Sequence, residues 1–192
     1  QILTTEQYWE SQILNLFRDK AKKTDNYFEL KNQLRIRGSN DAIGWIDAFT
    51  KEQRISKLPS NLGGYDIRIF DQPEQLENAL KDKASKEEHR LSRLVATYDW
   101  EYSIKPAQEK RLKKYWEVMI GKWRKPWNRE LEQELTLKEK RAIKPLSWAE
   151  QPHTIEEVGS TFTIQGFDLN YVGVILGPSV KYRDGKVIFD PS

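Results

Sequence analysis

The chain has 192 residues, with 32 basic and 29 acidic side chains, no cysteine and seven tryptophans. The lack of cysteine excludes disulfides and thiolate metal sites, and no apolar run approaches the roughly 18 residues that a membrane span needs. Because the chain also begins without a signal peptide, we expect a cytoplasmic protein that does not contact a membrane. A net charge of +3 is too small to indicate a nucleic-acid partner by itself, so the local distribution of charge has to decide.

Two helices and a short strand are predicted in the first quarter of the chain. Thr4 or Thr5 can cap the first helix, in which apolar residues recur every four positions and predict one buried stripe. The residues of this stripe are Trp9, Ile13 and Phe17. Residues 26–30 predict a strand, and Ser39 or Asn40 can cap the second helix.

Strands and helices continue to alternate after that. Residues 65–70 and 91–98 predict strands, and Pro73 opens a third helix between them. Such alternation is typical of an α/β fold with a mostly parallel sheet and helices on both faces. At the far end, residues 180–189 predict a C-terminal β-hairpin around the turn Asp184-Gly185.

The region 105–148 differs in composition from its surroundings. Its stretch 105–144 holds 13 basic and 6 acidic residues, a local balance of +7. Aromatic and apolar residues between 112 and 120 fit one face of a helix, so we interpret the region as an inserted, mainly helical element rich in tryptophan.

Basic side chains alternate with aromatic ones in this insertion, and two interpretations stay open. Bases of a single-stranded nucleic acid can stack on exposed rings while cations contact the phosphates. Most of the rings fit helical spacing, however, and are equally explained as core. If the insertion binds a strand, Trp127 after Pro126 is the best candidate for an exposed ring, with Arg124 and Lys125 beside it.

The most informative segment is 157–177, which predicts a strand, a glycine-containing turn and a second strand. The apolar run 172–176 is typical of a strand that is covered on both faces. Polar side chains are confined to the turn, where Thr163, Gln165 and Asp168 surround Gly166. Loops at strand ends are where α/β folds usually bind ligands, and glycine lets the backbone approach a phosphate closely.

This segment resembles motif V of the superfamily-one helicases, whose pattern is roughly Thr-x-His-x-x-Gln/Lys-Gly-x-Glu/Asp-x-x-x-Val. The matching positions are Ser160, Phe162, Gln165, Gly166, Asp168 and Val172. Phe162 stands where the pattern has His, and Asp168 where Glu is usual. More closely, the chain from about 26 to 190 resembles a bacterial family of helicase-like proteins related to the helicase part of Schlafen proteins. A second match is the stretch 30–38, similar to that family's Leu-x-x-Gln-Phe-Arg-Cys-x-Gly.

The resemblance implies the second RecA-like domain of a motor, a three-layer sandwich of the P-loop NTPase superfamily. In such motors ATP with Mg²⁺ lies between two RecA-like domains. It implies that Arg35 senses the γ-phosphate, that Gly166 and Asp168 face the nucleotide, and that a short polar set faces a nucleic-acid strand. That set is Ser160, Thr161, Thr163 and Gln165. The implied partners are single-stranded nucleic acid and the N-terminal RecA-like domain of the same protein.

The 192 residues contain no Gly-x-x-x-x-Gly-Lys-Ser/Thr phosphate loop and no arginine-bearing motif VI. We therefore expect a fragment of a longer ATPase that does not hydrolyse nucleotide alone. One rival is a RecA-like protein-interaction or regulatory module without motor activity. Another is a nuclease, which no carboxylate cluster supports. His89 and His153 lack ligand-type spacing, so no metal site is predicted.

Overall fold

The computed structural model describes residues 11–28, 36–86, 88, 90–103 and 114–190. The chain divides into two compact units, residues 1–37 and residues 38–192. In the first unit, helix α1 spans Ser11–Lys23. The predicted buried stripe is wrong where it can be assessed, since Ile13 and Phe17 are both exposed. The predicted caps Thr4 and Thr5, Trp9 and Arg35 lie outside the described residues.

Two helices open the second unit. Helix α2 spans Asn40–Thr50, and the Ser39 hydroxyl caps it by accepting a hydrogen bond from the backbone N–H of Ala42 at 3.2 Å. Helix α3 spans Pro73–Ala84, with the proline in its first turn, where a missing N–H costs nothing. Both helices match the prediction. The strand predicted over 65–70 is not formed, since this stretch pairs with no other strand among the described residues.

The centre of the second unit is a parallel sheet of three strands, in the order β4-β1-β5. Strand β1 spans Ser92–Ala96, β4 spans Val158–Gly159 and β5 spans Tyr171–Ile175. The predicted parallel sheet is thus confirmed for these strands. A Cβ on Gly173 would lie 2.7 Å from a methyl group of Leu94 on β1 and 3.2 Å from a methyl group of Leu76 on helix α3, so a larger residue there would displace both side chains.

Strand β5 corrects one expectation. The run 172–176 was expected to be covered on both faces, but Val172, Val174 and Leu176 are exposed while Gly173 and Ile175 are buried. The physical reason is that helix α3 covers one face of β5, while no described element covers the other. An apolar run by itself does not distinguish a central strand from such a half-covered strand.

The predicted helical insertion is also corrected. Its described part begins with an antiparallel hairpin, strand β2 over Glu117–Ile120 and strand β3 over Trp123–Pro126. A 3₁₀ helix, Glu130–Glu134, and helix α4, Leu137–Ile143, follow. Trp116 and Val118 are both buried, which is the two-residue period of a strand rather than that of a helix. Within the described residues 114–148, the predicted helical structure is found only from Glu130 onwards.

The hairpin leads directly into the sheet. Trp127 forms a parallel bridge with Val158 of β4, and the backbone N–H of Asn128 donates to the Val158 carbonyl at 3.0 Å. The main hydrophobic core therefore includes the tryptophans of the hairpin together with residues of helix α3 and the three strands. Its buried members are Leu80, Leu94, Ala96, Val118, Trp123, Trp127, Val158 and Ile175.

The chain ends in a second hairpin, as predicted. Strand β6 spans Val180–Arg183, β7 spans Lys186–Phe189, and the turn between them contains Asp184 and Gly185, both with positive φ. Along the chain, two 3₁₀ helices stand between helix α4 and strand β4, namely Trp148–Glu150 and Pro152–Glu156. In the part of the chain that the structure describes, no helix has the length and apolar character to cross a membrane.

Candidate nucleic-acid and nucleotide site at the carboxyl edge of the sheet

Three loops meet at the carboxyl edge of the parallel sheet, one after each strand. The loops after β1 and β5 are joined by Asp99, whose carboxylate accepts from the Ser179 N–H at 2.6 Å and from the Ser179 hydroxyl at 2.9 Å. Thr97 adds a bond by accepting from the N–H of Gly177 at 2.7 Å. Burial raises the pKa of Asp99, but hydrogen bonds from Thr97 and Ser179 outweigh it, so the pKa is lowered.

The loop after β4 is the segment that resembles motif V. It forms helix α5, Thr161–Ile164, instead of the predicted simple turn. The Ser160 hydroxyl caps this helix by accepting from the Phe162 N–H at 3.3 Å, and the Ser160 N–H donates to the Thr163 hydroxyl at 2.9 Å. Ser160 is fully buried, so the prediction that it contacts a strand directly is wrong. Its role is to hold the helix that presents Phe162.

The other predicted residues of this segment differ in their surroundings. Thr161 and Gln165 are exposed, whereas Thr163 is half-buried and its hydroxyl is used within the turn. Gly166 has a φ of 84° and open space around the position of a Cβ, so its backbone conformation, rather than crowding, favours glycine. Asp168 is exposed. The chain then returns to the amino edge of the sheet, where the Asn170 N–H donates to the Leu91 carbonyl.

Lys125, predicted to contact phosphates, belongs to an ion cluster. It contacts Glu77 at 2.5 Å and Glu156 at 3.0 Å, and Lys81 contacts the same two carboxylates. Burial raises the pKa of Glu77, but hydrogen bonds from Lys125, Lys81 and Trp123 outweigh it and hold the pKa at about 2. The ammonium of Lys125 is thus held by carboxylates. Arg124, by contrast, is exposed and joined to no carboxylate among the residues that the structure describes.

Trp127 was predicted to be an exposed ring for base stacking, and this is wrong, since its exposed fraction is 0%. It lies at the centre of an aromatic cluster, within 4.8 Å of Tyr98, 6.2 Å of Trp100 and 6.1 Å of Tyr102 between ring centroids. The parallel bridge to β4 forces it inward. Spacing along the chain gave no sign of this bridge, which joins residues more than thirty positions apart.

Two aromatic side chains of the same cluster are exposed. Tyr98 lies two residues after the end of β1 and Phe162 lies in helix α5 after β4, with exposed fractions of 53% and 56%. Their ring centroids are 5.5 Å apart and the ring planes are nearly perpendicular, at 83°. In the sequence, Phe162 stood out only as a replacement for histidine, and Tyr98 did not stand out. The one sequence feature that could have indicated Tyr98 was its position just after the apolar residues of β1.

Two buried ionisable residues in the same unit were also missed. Glu157 is fully buried and accepts from the Trp148 indole N–H at 2.6 Å and from the Leu131 N–H at 3.2 Å. Burial raises the pKa of Glu157 to about 7. Arg93 on β1 is buried as well, and burial lowers its pKa to about 10. Its guanidinium donates to the Thr154 hydroxyl at 2.8 Å.

No three His, Asp or Glu side chains converge on a possible metal site within the described ranges. Burial lowers the pKa of His153, which favours its neutral form. His89 is outside the described residues.

The parallel sheet and the polar and aromatic groups at its carboxyl edge define an α/β domain with a candidate ligand-binding edge. A family model described as Schlafen group 3, DNA/RNA helicase domain, matches residues 1–192. The chain therefore belongs to the Schlafen group 3 helicase domain family, which confirms the predicted relationship to the Schlafen helicase region.

The chain is also similar to a curated protein of yeast. The chain is 28% identical over 200 residues to the uncharacterized protein YPL245W of Saccharomyces cerevisiae. The match covers 95% of this chain and 40% of the relative, so the chain spans about two fifths of the length of that curated relative. No solved structure matches the chain.

Proposed function

We propose that the chain is the second RecA-like motor domain of an ATP-dependent helicase or nucleic-acid translocase. The observation that carries the proposal is the position of the segment 160–165, which resembles motif V and follows strand β4 at the carboxyl edge of a parallel sheet. In α/β folds this edge is the usual place for ligands. The family description, a DNA/RNA helicase domain, supports the same function class.

In this proposal the nucleotide is bound mainly by another RecA-like domain, because the 192 residues contain no phosphate loop. Arg35 contacts the γ-phosphate of ATP bound with Mg²⁺, and Gly166 and Asp168 face the nucleotide. A γ-phosphate contact of this kind couples closure of the two domains to the grip on nucleic acid. The isolated chain is then expected to show no ATPase activity and to bind nucleotide weakly at most.

The experiment compares two arginine variants in the whole protein. Arg35→Ala should lower the rate of ATP turnover by about a hundredfold or more, since a charge contact to the transferring phosphoryl group is lost. Arg37→Ala is the matched control. Arg37 is exposed, and its substitution removes the same charge two positions away from Arg35. Equal turnover in the two variants, at equal folded fractions by circular dichroism, would contradict the γ-phosphate role.

One observation favours a second candidate, a protein-interaction module. Strand β5 exposes Val172 and Val174 on one face of the sheet, and the C-terminal hairpin exposes Tyr182 and Phe189. Exposed apolar surface of this kind is common at protein interfaces. If the whole protein neither turns over ATP nor binds nucleic acid at low salt, the interaction module becomes the better explanation.

A further inference from the structure

The exposed rings of Tyr98 and Phe162 form a corner at the carboxyl edge of the sheet, which we call the aromatic corner. The two residues come from neighbouring strand ends, because β1 and β4 are paired in parallel. Their planes meet at 83° with a centroid separation of 5.5 Å, which is a stable edge-to-face arrangement. More than half of each side chain is exposed, so flat ring surface remains available to a ligand.

Neighbouring residues hold both rings of the aromatic corner in place. Tyr98 contacts the buried ring of Trp127 at 4.8 Å, and Trp100 contacts the other side of the same cluster at 6.2 Å from Trp127. Phe162 is held by the cap that Ser160 forms on helix α5. A ring that is already fixed loses little conformational entropy when a ligand stacks on it. Two fixed and exposed aromatic rings are therefore suited to flat ligands.

An exposed cation lies on the hairpin β2–β3, which is hydrogen-bonded to the loop that carries Tyr98. The Trp100 indole N–H donates to the Met119 carbonyl at 3.1 Å, which brings the hairpin β2–β3 to this edge. Met119 is paired with Arg124, the exposed arginine of that hairpin. Exposed rings with a nearby cation are the usual composition of a single-strand site, where bases stack and cations contact phosphates.

We propose that the aromatic corner stacks an unpaired base of a single-stranded nucleic acid, with Arg124 contacting the backbone of the same strand. This proposal rests on the proposed function, and it assigns base contact to Tyr98 and Phe162 instead of Trp127. The base lies on one ring face while the second ring closes one side of the site. Stacking of this kind is tolerant of sequence, because every base has a flat face.

The test measures binding of a fluorescein-labelled oligothymidylate to the 192-residue chain by anisotropy at low salt. Phe162→Ala should weaken binding about ten- to a hundredfold, the loss expected for one stacked base. Tyr182→Ala is the matched control, since Tyr182 is 61% exposed but lies on the C-terminal hairpin, and it should bind as the wild type does. Tyr98→Phe keeps a ring in place and should also retain binding.

A second oligonucleotide separates stacking from charge. A strand of the same length with abasic positions offers the phosphates without the bases, so the wild type should bind it as weakly as Phe162→Ala binds oligothymidylate. Phe162→Ala should show no further loss on the abasic strand. Arg124→Ala should weaken binding of both strands and lower the dependence on salt by about one counterion.

The possible failures are distinguishable. If the wild type does not bind single strands at low salt, both the proposed function and the aromatic corner are overturned. If the wild type binds but Phe162→Ala binds both oligonucleotides equally well, the aromatic corner alone is overturned. Folding is checked by comparing urea unfolding midpoints, and the large exposed fraction of Phe162 should leave the midpoint of its variant close to that of the wild type.

Discussion

Glu157 should make the stability of the second unit depend on pH. Burial raises the pKa of this carboxyl from 4.5 to about 7 in the folded state. On raising the pH, the folded state therefore keeps this proton up to a higher pH than the unfolded chain does. The resulting stabilisation is fully present below about pH 4.5 and is lost as the pH rises through about 7. Between pH 5 and pH 8 this amounts to about 2 kcal/mol of unfolding free energy.

The variant Glu157→Gln removes this titration and introduces one mismatch. The glutamine oxygen can still accept a hydrogen bond from the Trp148 indole N–H. The glutamine NH₂ group then faces the Leu131 N–H, which in the wild type donates to the second oxygen of Glu157 at 3.2 Å, so two donors face each other. An unsatisfied buried donor costs about 1–3 kcal/mol. The variant should thus be less stable than the wild type at pH 5, and the difference should shrink by about 2 kcal/mol at pH 8.

The measurement is urea unfolding followed by tryptophan fluorescence at pH 5, 6, 7 and 8. Burial also raises the pKa of Glu130, but this contribution is present in both proteins and cancels in the difference. Glu156→Gln is the matched control, because Lys81 hydrogen-bonds this carboxylate and holds its pKa below the usual range. Its effect should be constant over the same interval. Parallel pH profiles for the wild type and Glu157→Gln would refute the reasoning.

Three further substitutions test the packing around the site, each by urea unfolding at pH 7. Gly159→Ala should cost about 1–3 kcal/mol, because the added Cβ would lie 2.6 Å from the Trp148 ring; an unchanged midpoint would contradict this packing. Trp127→Ala should cost about 3–5 kcal/mol if the ring is core, and a loss below 1 kcal/mol would mean that the ring is not buried. Glu77→Gln should cost about 1 kcal/mol at pH 7, and its effect should fade as the pH falls through about 2, where the carboxylate of the wild type becomes protonated. An effect that persists undiminished at pH 2 would exclude the ion cluster as its cause.

The elements that local chemistry specifies were the ones predicted well. The Ser39 cap, the proline that opens helix α3 and the Asp184-Gly185 turn each act within a few residues, and the structure has all three. Strand β1 lies within the predicted range 91–98, where Leu94, Val95 and Ala96 form a short apolar run between polar residues.

The remaining features depend on contacts that are distant in sequence. The pattern from Tyr115 to Ile120 fits a helix face and a strand about equally, and only pairing with residues 123–126 decides for the strand. The same holds for Lys125, whose partners Glu77 and Glu156 lie far away along the chain. For the site, the polar turn was located by its glycine and hydroxyl residues, but which of them are buried depends on packing against Trp148.

The bridge between Trp127 and Val158 has a consequence for how the sheet can be extended. Strand β4 is only two residues long, yet its outer side is occupied by this bridge and by the hydrogen bond from Asn128. On the opposite side, β5 has no neighbouring strand among the described residues beyond β1. Within the part of the chain that the structure describes, the backbone edge of β5 is therefore the one at which a further parallel strand could pair, whereas the edge of β4 is already taken. The exposed Val172 and Val174 lie on the open face of the same strand, where a packing partner rather than a pairing strand would bury apolar surface.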